Sequence, residues 1–361
     1  MAVSSTVNET GEQATGPIME WGILGSGGAA SSFAHALARS ETGTLRTVGS
    51  RTPSSAKSLA ASQGRHVDWS GLADVLVDSR INAIYVGLVN TAHADWVVRA
   101  AEAGKHILCE KPLGVDAAQA RRMVDAAEAA GVILMEAMTY RSHPQTRQLA
   151  AMVQERRIGT LLQIEATLGY EASGEPHGRH FSPSLGGGAI LDIGCYATSM
   201  IRMLAGAAQG VGVIEPDTVA GAARIGRTGV DESAVGTFRF PGGLLATASV
   251  SISMRQPGRL RLYGSEGSIT VPDPWRPEGT NTLIVTRHRE GTTERVPVAG
   301  TATAREHEIH EFTAAVRGRK PGALGMRGDD CVGNARVLDH WRASARVDRV
   351  PSARRSGVRE G

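Results

Sequence analysis

Apolar positions in the first third of the chain come in short solid runs divided by longer amphipathic stretches. Residues 21–24, 45–50, 81–88, 106–109 and 132–136 read as strands. The segments between them, 29–40, 54–63, 92–103 and 117–130, place apolar residues three and four apart and read as helices. Gly104 and Gly131 stand where the last two of these helices should end, a position that favours glycine. Strand and helix in strict alternation predict a parallel sheet with right-handed crossovers, an α/β Rossmann domain over residues 18–138.

The pattern then changes. A helix is expected over 144–155, a half-buried strand over 161–170 and a second helix from about Gly188. From 210 to 298 strand-like segments dominate: 234–240, 244–252, 259–263, 268–271 and 281–286, separated by turns such as Pro241-Gly242-Gly243. Helices follow at about 307–317 and 329–346. This predicts an α+β domain over 139–350 with an open, mostly antiparallel sheet, one face carrying helices and the other available to a second copy of the chain. Residues 1–17 and 351–361 are polar or basic and are expected as disordered tails.

Composition narrows the function classes. The 361 residues suffice for two cores, and no apolar run reaches the length of a membrane span. Cys109, Cys195 and Cys331 show no metal-ligand spacing, which predicts a reducing, cytoplasmic setting without a disulfide framework or zinc. A net charge of +3 and an aromatic content of 4% give no footprint for nucleic acid. Among 39 basic residues only Lys57, Lys105, Lys111 and Lys320 are lysines, so a lysine in an apolar setting stands out. Trp69, Trp96 and Trp275 are expected to pack.

Gly25-Ser26-Gly27-Gly28-Ala29-Ala30 fits G-x-G-x-x-A directly after a strand and at a helix start. The first glycine permits the turn, the second lets backbone approach a pyrophosphate, and the helix N-terminus binds the anion. The second strand ends in Gly49-Ser50-Arg51, with no carboxylate to grip a ribose hydroxyl and an arginine able to pair with a 2′-phosphate. NADP is therefore the expected cofactor, with NAD as the alternative. Asn90 and His93 follow the 81–88 strand and Glu110 and Lys111 end the 106–109 strand, so all four are expected beside the dinucleotide with Gly25, Ser26, Gly27, Gly28, Ala29, Ser50 and Arg51.

Two further constellations carry candidate chemistry. Lys111, between Glu110 and Pro112, lies at the carboxyl end of a strand, where doubly wound sheets bind ligands. Asp192 and Tyr196 lie four apart after Gly186-Gly187-Gly188, on one face of the expected helix. A phenol is a poor base at neutral pH unless a nearby cation favours the phenolate. Tyr196 is thus the expected acid/base, Lys111 the cation that polarises a substrate oxygen and tunes it, and Asp192 the group that orients Lys111 or a substrate hydroxyl. Arg141, His143, Tyr170, Arg179 and His180 are candidates to line a polyol pocket.

These residues, with Asn90-Thr91-Ala92-His93 and the run from Ala103 to Pro112, resemble the glucose–fructose oxidoreductase, inositol dehydrogenase and rhizopine-catabolism (Gfo/Idh/MocA) family over roughly residues 20–346. The resemblance implies a catalytic-site Lys111 with Asp192 in the same site. Many members have His where this chain has Tyr196, and Pro where it has Val89. Tyr196, with Tyr140-Arg141-Ser142-His143-Pro144, resembles the branch of dimeric dihydrodiol dehydrogenases, NADP-dependent xylose dehydrogenases and deoxysugar ketoreductases. The implied function is an NADP-dependent dehydrogenase or reductase acting on a sugar, polyol or cyclic diol, as a homodimer or homotetramer. The alternatives are a redox-cycling glycosidase that retains NAD and a non-catalytic dinucleotide-binding sensor.

Overall fold

In the computed structural model, described for residues 18–64, 66–173, 178–300, 302–318, 324–348 and 350, both expected domains are present. The two expected tails lie outside these residues. Strands β1 (Met19–Leu24), β2 (Gly43–Gly49), β3 (Asp68–Ser70), β4 (Ala83–Val86), β5 (His106–Glu110) and β6 (Leu134–Ala137) pair in parallel in the order β3-β2-β1-β4-β5-β6. The order reverses between β1 and β4, which opens a crevice at their carboxyl ends. Strand β4 is buried on both faces, which is why its sequence is apolar throughout. Helices α1 (Gly28–Ala38), α2 (Pro53–Ala61), α3 (Leu72–Val77), α4 (His93–Glu102) and α5 (Ala117–Ala129) form the crossovers. Trp69 departs from expectation: it sits on the edge strand β3 and is 46% exposed, with Lys57 Nζ 5.9 Å from its ring centroid.

The second domain adds α6 (Thr139–Ser142), α7 (Pro144–Gln154), β7 (Leu161–Glu171), α8 (Cys195–Ala208), β8 (Thr218–Ile225), β9 (Asp231–Arg239), β10 (Leu245–Ser251), β11 (Ser253–Gly264), β12 (Gly267–Val271), β13 (Asn281–Arg287), β14 (Thr292–Val298), α9 (Ala304–Val316) and α10 (Asp329–Ser344). Its eight strands run β14-β13-β12-β11-β7-β10-β9-β8. All neighbours are antiparallel except β7 and β10, which pair in parallel. The edge strands β8 and β14 were not legible in the pattern. Strand β8 is built of small residues, and β14 is an edge strand exposed over most of its length. Small residues suit β8 because Trp341 of α10 packs down on it: a Cβ at Gly221 would lie 2.6 Å from that indole, and one at its partner Gly236 on β9 2.7 Å.

The chain does not stay in the second domain after β14. Helix α9 returns to the Rossmann sheet and completes the core on its α1 side, where Ile309 and Phe312 are fully buried with Trp21 and Phe33. The Phe312 and Trp21 ring centroids are 5.0 Å apart. Helix α9 starts at a capping box, Thr303 with Glu306, and Glu306 also pairs with Arg39 at the end of α1. Helix α10 packs against α5 as well as β8. The boundary near residue 138 is therefore a boundary in sheet topology, and both C-terminal helices tie the domains together.

Candidate active site

The glycine turn has the shape an anion site needs. Gly25 has φ +116°, and a Cβ there would lie 2.3 Å from the Gly87 carbonyl, so only glycine lets β1 and β4 converge at the crevice. A Cβ at Gly27 or Gly28 would meet nothing within 4 Å, which leaves their backbone approachable from solvent. No side chain caps the N-terminus of α1. Its first N–H groups thus remain for a pyrophosphate. Nearby, the hydroxyls of Ser26, Ser50 and Ser55 form a cluster, with Ser26 Oγ 3.1 Å from Ser50 Oγ and 2.9 Å from Ser55 Oγ. Arg51 is exposed beside it. These residues fit a nicotinamide dinucleotide, which would supply or accept hydride when bound.

Strand β5 delivers Lys111 to the same crevice. Its Nζ donates to the Asp192 carbonyl at 2.5 Å and to Asp192 Oδ1 at 3.2 Å, and lies 5.0 Å from the Tyr196 ring centroid. The Tyr170 hydroxyl, from β7, donates to Asp192 Oδ2, and Arg179 Nη1 stands 3.6 Å from Oδ1. His180 lies edge-on to Tyr170 at 6.0 Å. Lys111, Tyr170 and Arg179 therefore meet around the Asp192 carboxylate, and Tyr196 joins them through its ring beside Lys111.

The helix that carries Asp192 is not the simple α-helix its spacing suggests. Residues Ile190–Gly194 form a π-helical turn that leads into α8. Such turns recur at functional sites because they displace backbone groups from the regular ladder. Here the carbonyl at this turn is the one Lys111 engages. The turn is anchored from β9, where the Asp231 carboxylate accepts from the Ile190 N–H at 2.6 Å, and glycine is required at 188 because a Cβ would lie 2.2 Å from Asp231 Oδ1.

Electrostatics differ from expectation at one point. Burial opposes the Asp192 charge, but Lys111, Arg179 and the Tyr170 hydroxyl hold its carboxyl well below the usual carboxylate range. Burial likewise opposes the Lys111 charge, and Asp192 and Tyr196 more than offset it, so the ammonium is held above its ordinary range. The Tyr196 phenol was expected to move down. Instead burial pushes it up, with Glu110 adding to the rise and Lys111 only partly countering it. The ammonium acts on the ring, but removing a phenolate from water costs more than one cation returns. Tyr196 is thus held as a phenol at neutral pH.

Four expected site residues are committed elsewhere. Glu110 does not face the crevice: Oε1 accepts from Tyr85 at 2.5 Å and Arg305 at 2.8 Å, and Oε2 accepts from the Lys111 N–H at 3.1 Å. His93 is buried, with its ring nitrogens 3.0 Å from the Pro112 carbonyl and 3.1 Å from the Leu88 carbonyl, one of which accepts its N–H. Arg141 is buried and pairs with Asp330 at 2.6 Å, sharing that carboxylate with Arg202 at 2.7 Å. His143 is buried and caps α7 through Gln145 N–H. A buried charge needs a partner, and α9 supplies Arg305 to Glu110 while α10 supplies Asp330 to Arg141. Asn90 lies at the crevice, with its amide donating to the Gly186 carbonyl across the domains at 2.8 Å. Arg305, which meets Glu110, carried no signal in the sequence, since it sits in an ordinary helical stretch 195 residues away.

Comparison with known proteins agrees with this architecture. Residues 19–138 match the model of an oxidoreductase family with an NAD-binding Rossmann fold, and residues 146–270 match the GFO/IDH/MocA C-terminal domain. The chain is 31% identical over 261 residues to trans-1,2-dihydrobenzene-1,2-diol dehydrogenase of Xenopus tropicalis, covering 72% of this chain and 77% of that protein. It is 28% identical over 298 residues to D-xylose 1-dehydrogenase (NADP(+)) 2 of Haloferax volcanii, covering 82% and 89%. A crystallised 3-ketoreductase from Actinomadura kijaniata, in complex with NADP and TDP-benzene, shares the fold at TM-score 0.82 and 24% identity, over 91% of this chain and 98% of that one. The chain belongs to the Gfo/Idh/MocA family and is an oxidoreductase of the dehydrogenase and reductase kind.

Proposed function

We propose that the protein interconverts a secondary alcohol or hemiacetal and a carbonyl on a sugar, polyol or cyclic diol, using NADP(H). The observation that carries this reading is the placing of Lys111 Nζ between the Asp192 carboxylate and the Tyr196 ring, at the carboxyl edge that also holds the glycine turn. Hydride transfer to a carbonyl carbon leaves charge on its oxygen, and that oxygen must gain a proton. Lys111, kept charged by Asp192, stabilises the developing oxyanion. Tyr196, kept as a phenol, donates the proton and takes it back in the oxidative direction. Asp192 fixes the lysine, and Tyr170 fixes Asp192. Arg179 and His180 face a polyol from the second domain.

The substrate class rests on the diol and xylose dehydrogenases to which the chain is similar. The NADP preference rests on Arg51 and the hydroxyls of Ser26 and Ser50, where no carboxylate opposes a 2′-phosphate. Gly25, Gly27, Gly28 and Ala29 receive the pyrophosphate, and Asn90 the nicotinamide side. The outer face of the second sheet, where Val235 and Leu245 are 53% and 52% exposed, is the surface through which two or four copies associate. Among the described residues no helix is long and apolar enough to cross a membrane, and a cytoplasmic site of action accords with three buried, unpaired thiols.

Spectrophotometric screening of NADP reduction against aldoses, inositols and cyclic diols tests the reading. Turnover of at least one substrate, with a lower KM for NADPH than for NADH, is the expected result. No turnover across the panel despite tight NADPH binding overturns it, and a cofactor that copurifies without being consumed points to a glycosidase.

A further inference from the structure

Glu110 is the hub of a buried network that reaches three parts of the fold. Tyr85, at 2.5 Å, stacks on Phe33 of α1 with ring centroids 4.0 Å apart, so the carboxylate is tied to the helix whose N-terminus forms the anion site. The Lys111 N–H, at 3.1 Å, ties it to the backbone of the site lysine. Arg305, at 2.8 Å, ties it to α9. Arg305 also donates to Glu308 at 2.9 Å and lies with its guanidinium carbon 5.6 Å from the Tyr85 ring centroid. The three charged members are at most 15% exposed. A buried carboxylate without its cation is strongly disfavoured, so Arg305, the cation bonded to Glu110, helps keep it ionised with its grip on the Lys111 amide, with the Lys111 ammonium and the Tyr85 hydroxyl assisting.

We propose that Arg305 is a positioning residue for the reaction: through Glu110 it fixes the backbone of Lys111, and so the place of the ammonium over the substrate oxygen. It does not touch substrate. Its position makes the second half of the chain, returning through α9, a condition for an ordered lysine at the end of β5. The docking of α9 does not depend on it, because Phe312 and Ile309 are buried against Trp21 and Glu306 pairs with Arg39. Removing Arg305 is therefore expected to loosen the site while α9 stays in place.

The inference rests on the reading of Lys111 as the site lysine, and the test separates the two. Two single variants, Arg305→Met and Glu110→Gln, and their double are compared for kcat, KM, NADPH affinity and residue-resolved amide hydrogen exchange. Arg305→Met is expected to lower kcat about tenfold or more, with KM and NADPH affinity within about threefold, because misplacing a group by an ångström weakens the transition state more than binding. The Lys111 amide is expected to exchange about tenfold faster while α9 amides keep their protection. The double variant should lose no more than Glu110→Gln alone, since one acts through the other. Arg305→Lys should recover part of kcat. Unaltered kcat and Lys111 exchange in Arg305→Met, or additive losses in the double, overturn the inference and leave the proposed function standing. If Lys111→Ala retains full turnover the proposed function itself fails. The exchange measurement still reports on the Arg305 link in the absence of any turnover, and loss of α9 protection assigns Arg305 to docking instead.

Discussion

Lys111 and Asp192 meet twice, through the carboxylate and through the backbone carbonyl, although they come from different domains 81 residues apart. The double contact fixes the direction of the ammonium as well as its charge. Asp192→Asn is expected to keep a bond at the carbonyl but lose the charge pairing. The measured result should be a fall in kcat/KM of about a hundredfold, from loss of a preorganised electrostatic contact, with NADPH affinity little changed. An unchanged kcat/KM would remove the carboxylate from the mechanism.

The two tyrosines should separate in kinetics. Tyr196→Phe deletes the proposed proton donor and is expected to lower kcat about a hundredfold or more. Tyr170→Phe only removes a bond to Asp192 and should cost about tenfold. Because burial holds the Tyr196 phenol above its ordinary range, the reductive rate should be flat through neutral and mildly alkaline pH. The oxidative rate, which needs the phenolate, should rise with pH over the same interval. A reductive rate that falls near neutrality would show a different acid.

Glu136 should contribute stability in acid that is lost as pH rises to neutral, while His143, pushed down to about 4 by burial, contributes in the opposite sense. Burial pushes its carboxyl from 4.5 to about 7, with Asp330 adding to the rise and the Leu113 N–H and Arg141 opposing it. The unfolded chain ionises this group near 4.5, so between 4.5 and about 7 the folded chain holds the extra proton. The contribution is full below 4.5 and is lost as pH passes about 7. Glu136→Gln, which can still accept from the Leu113 N–H, is expected to make the slope of Tm against pH more positive over that interval. Glu308, also pushed up to about 7 by burial and Glu110, and Asp231, pushed up to about 6 by burial, act in the same sense and remain in that variant. An identical slope in Glu136→Gln would place the extra proton elsewhere.

Cofactor choice is expected to turn on Arg51. Arg51→Glu replaces the cation proposed to pair with a 2′-phosphate by a carboxylate. KM for NADPH should rise at least about tenfold while KM for NADH changes little. Equal changes for both cofactors would separate Arg51 from the choice.

Helix α9 should behave as part of the Rossmann core. Phe312→Ala removes a fully buried ring from the α1 side of the sheet and is expected to cost about 3–5 kcal/mol, read from denaturant unfolding. A loss confined to the second domain would contradict the packing.

The sequence by itself determined whatever depends on neighbours along the chain. The alternation of strand and helix up to residue 138, the glycine turn at Gly25 and the seating of Lys111 at a strand end were legible because periodicity, turn geometry and topology act over a few residues or follow a fixed handedness. The tertiary structure decided the rest. It paired β7 with β10 in parallel, opened a π turn at Asp192, brought Tyr170 onto that carboxylate and carried α9 back so that Arg305 could reach Glu110. It also buried Arg141 and His143, which the sequence placed in the pocket, and raised the phenol it expected to fall. Desolvation and long-range pairing are sums over every element packed around a group, and no local pattern contains that sum.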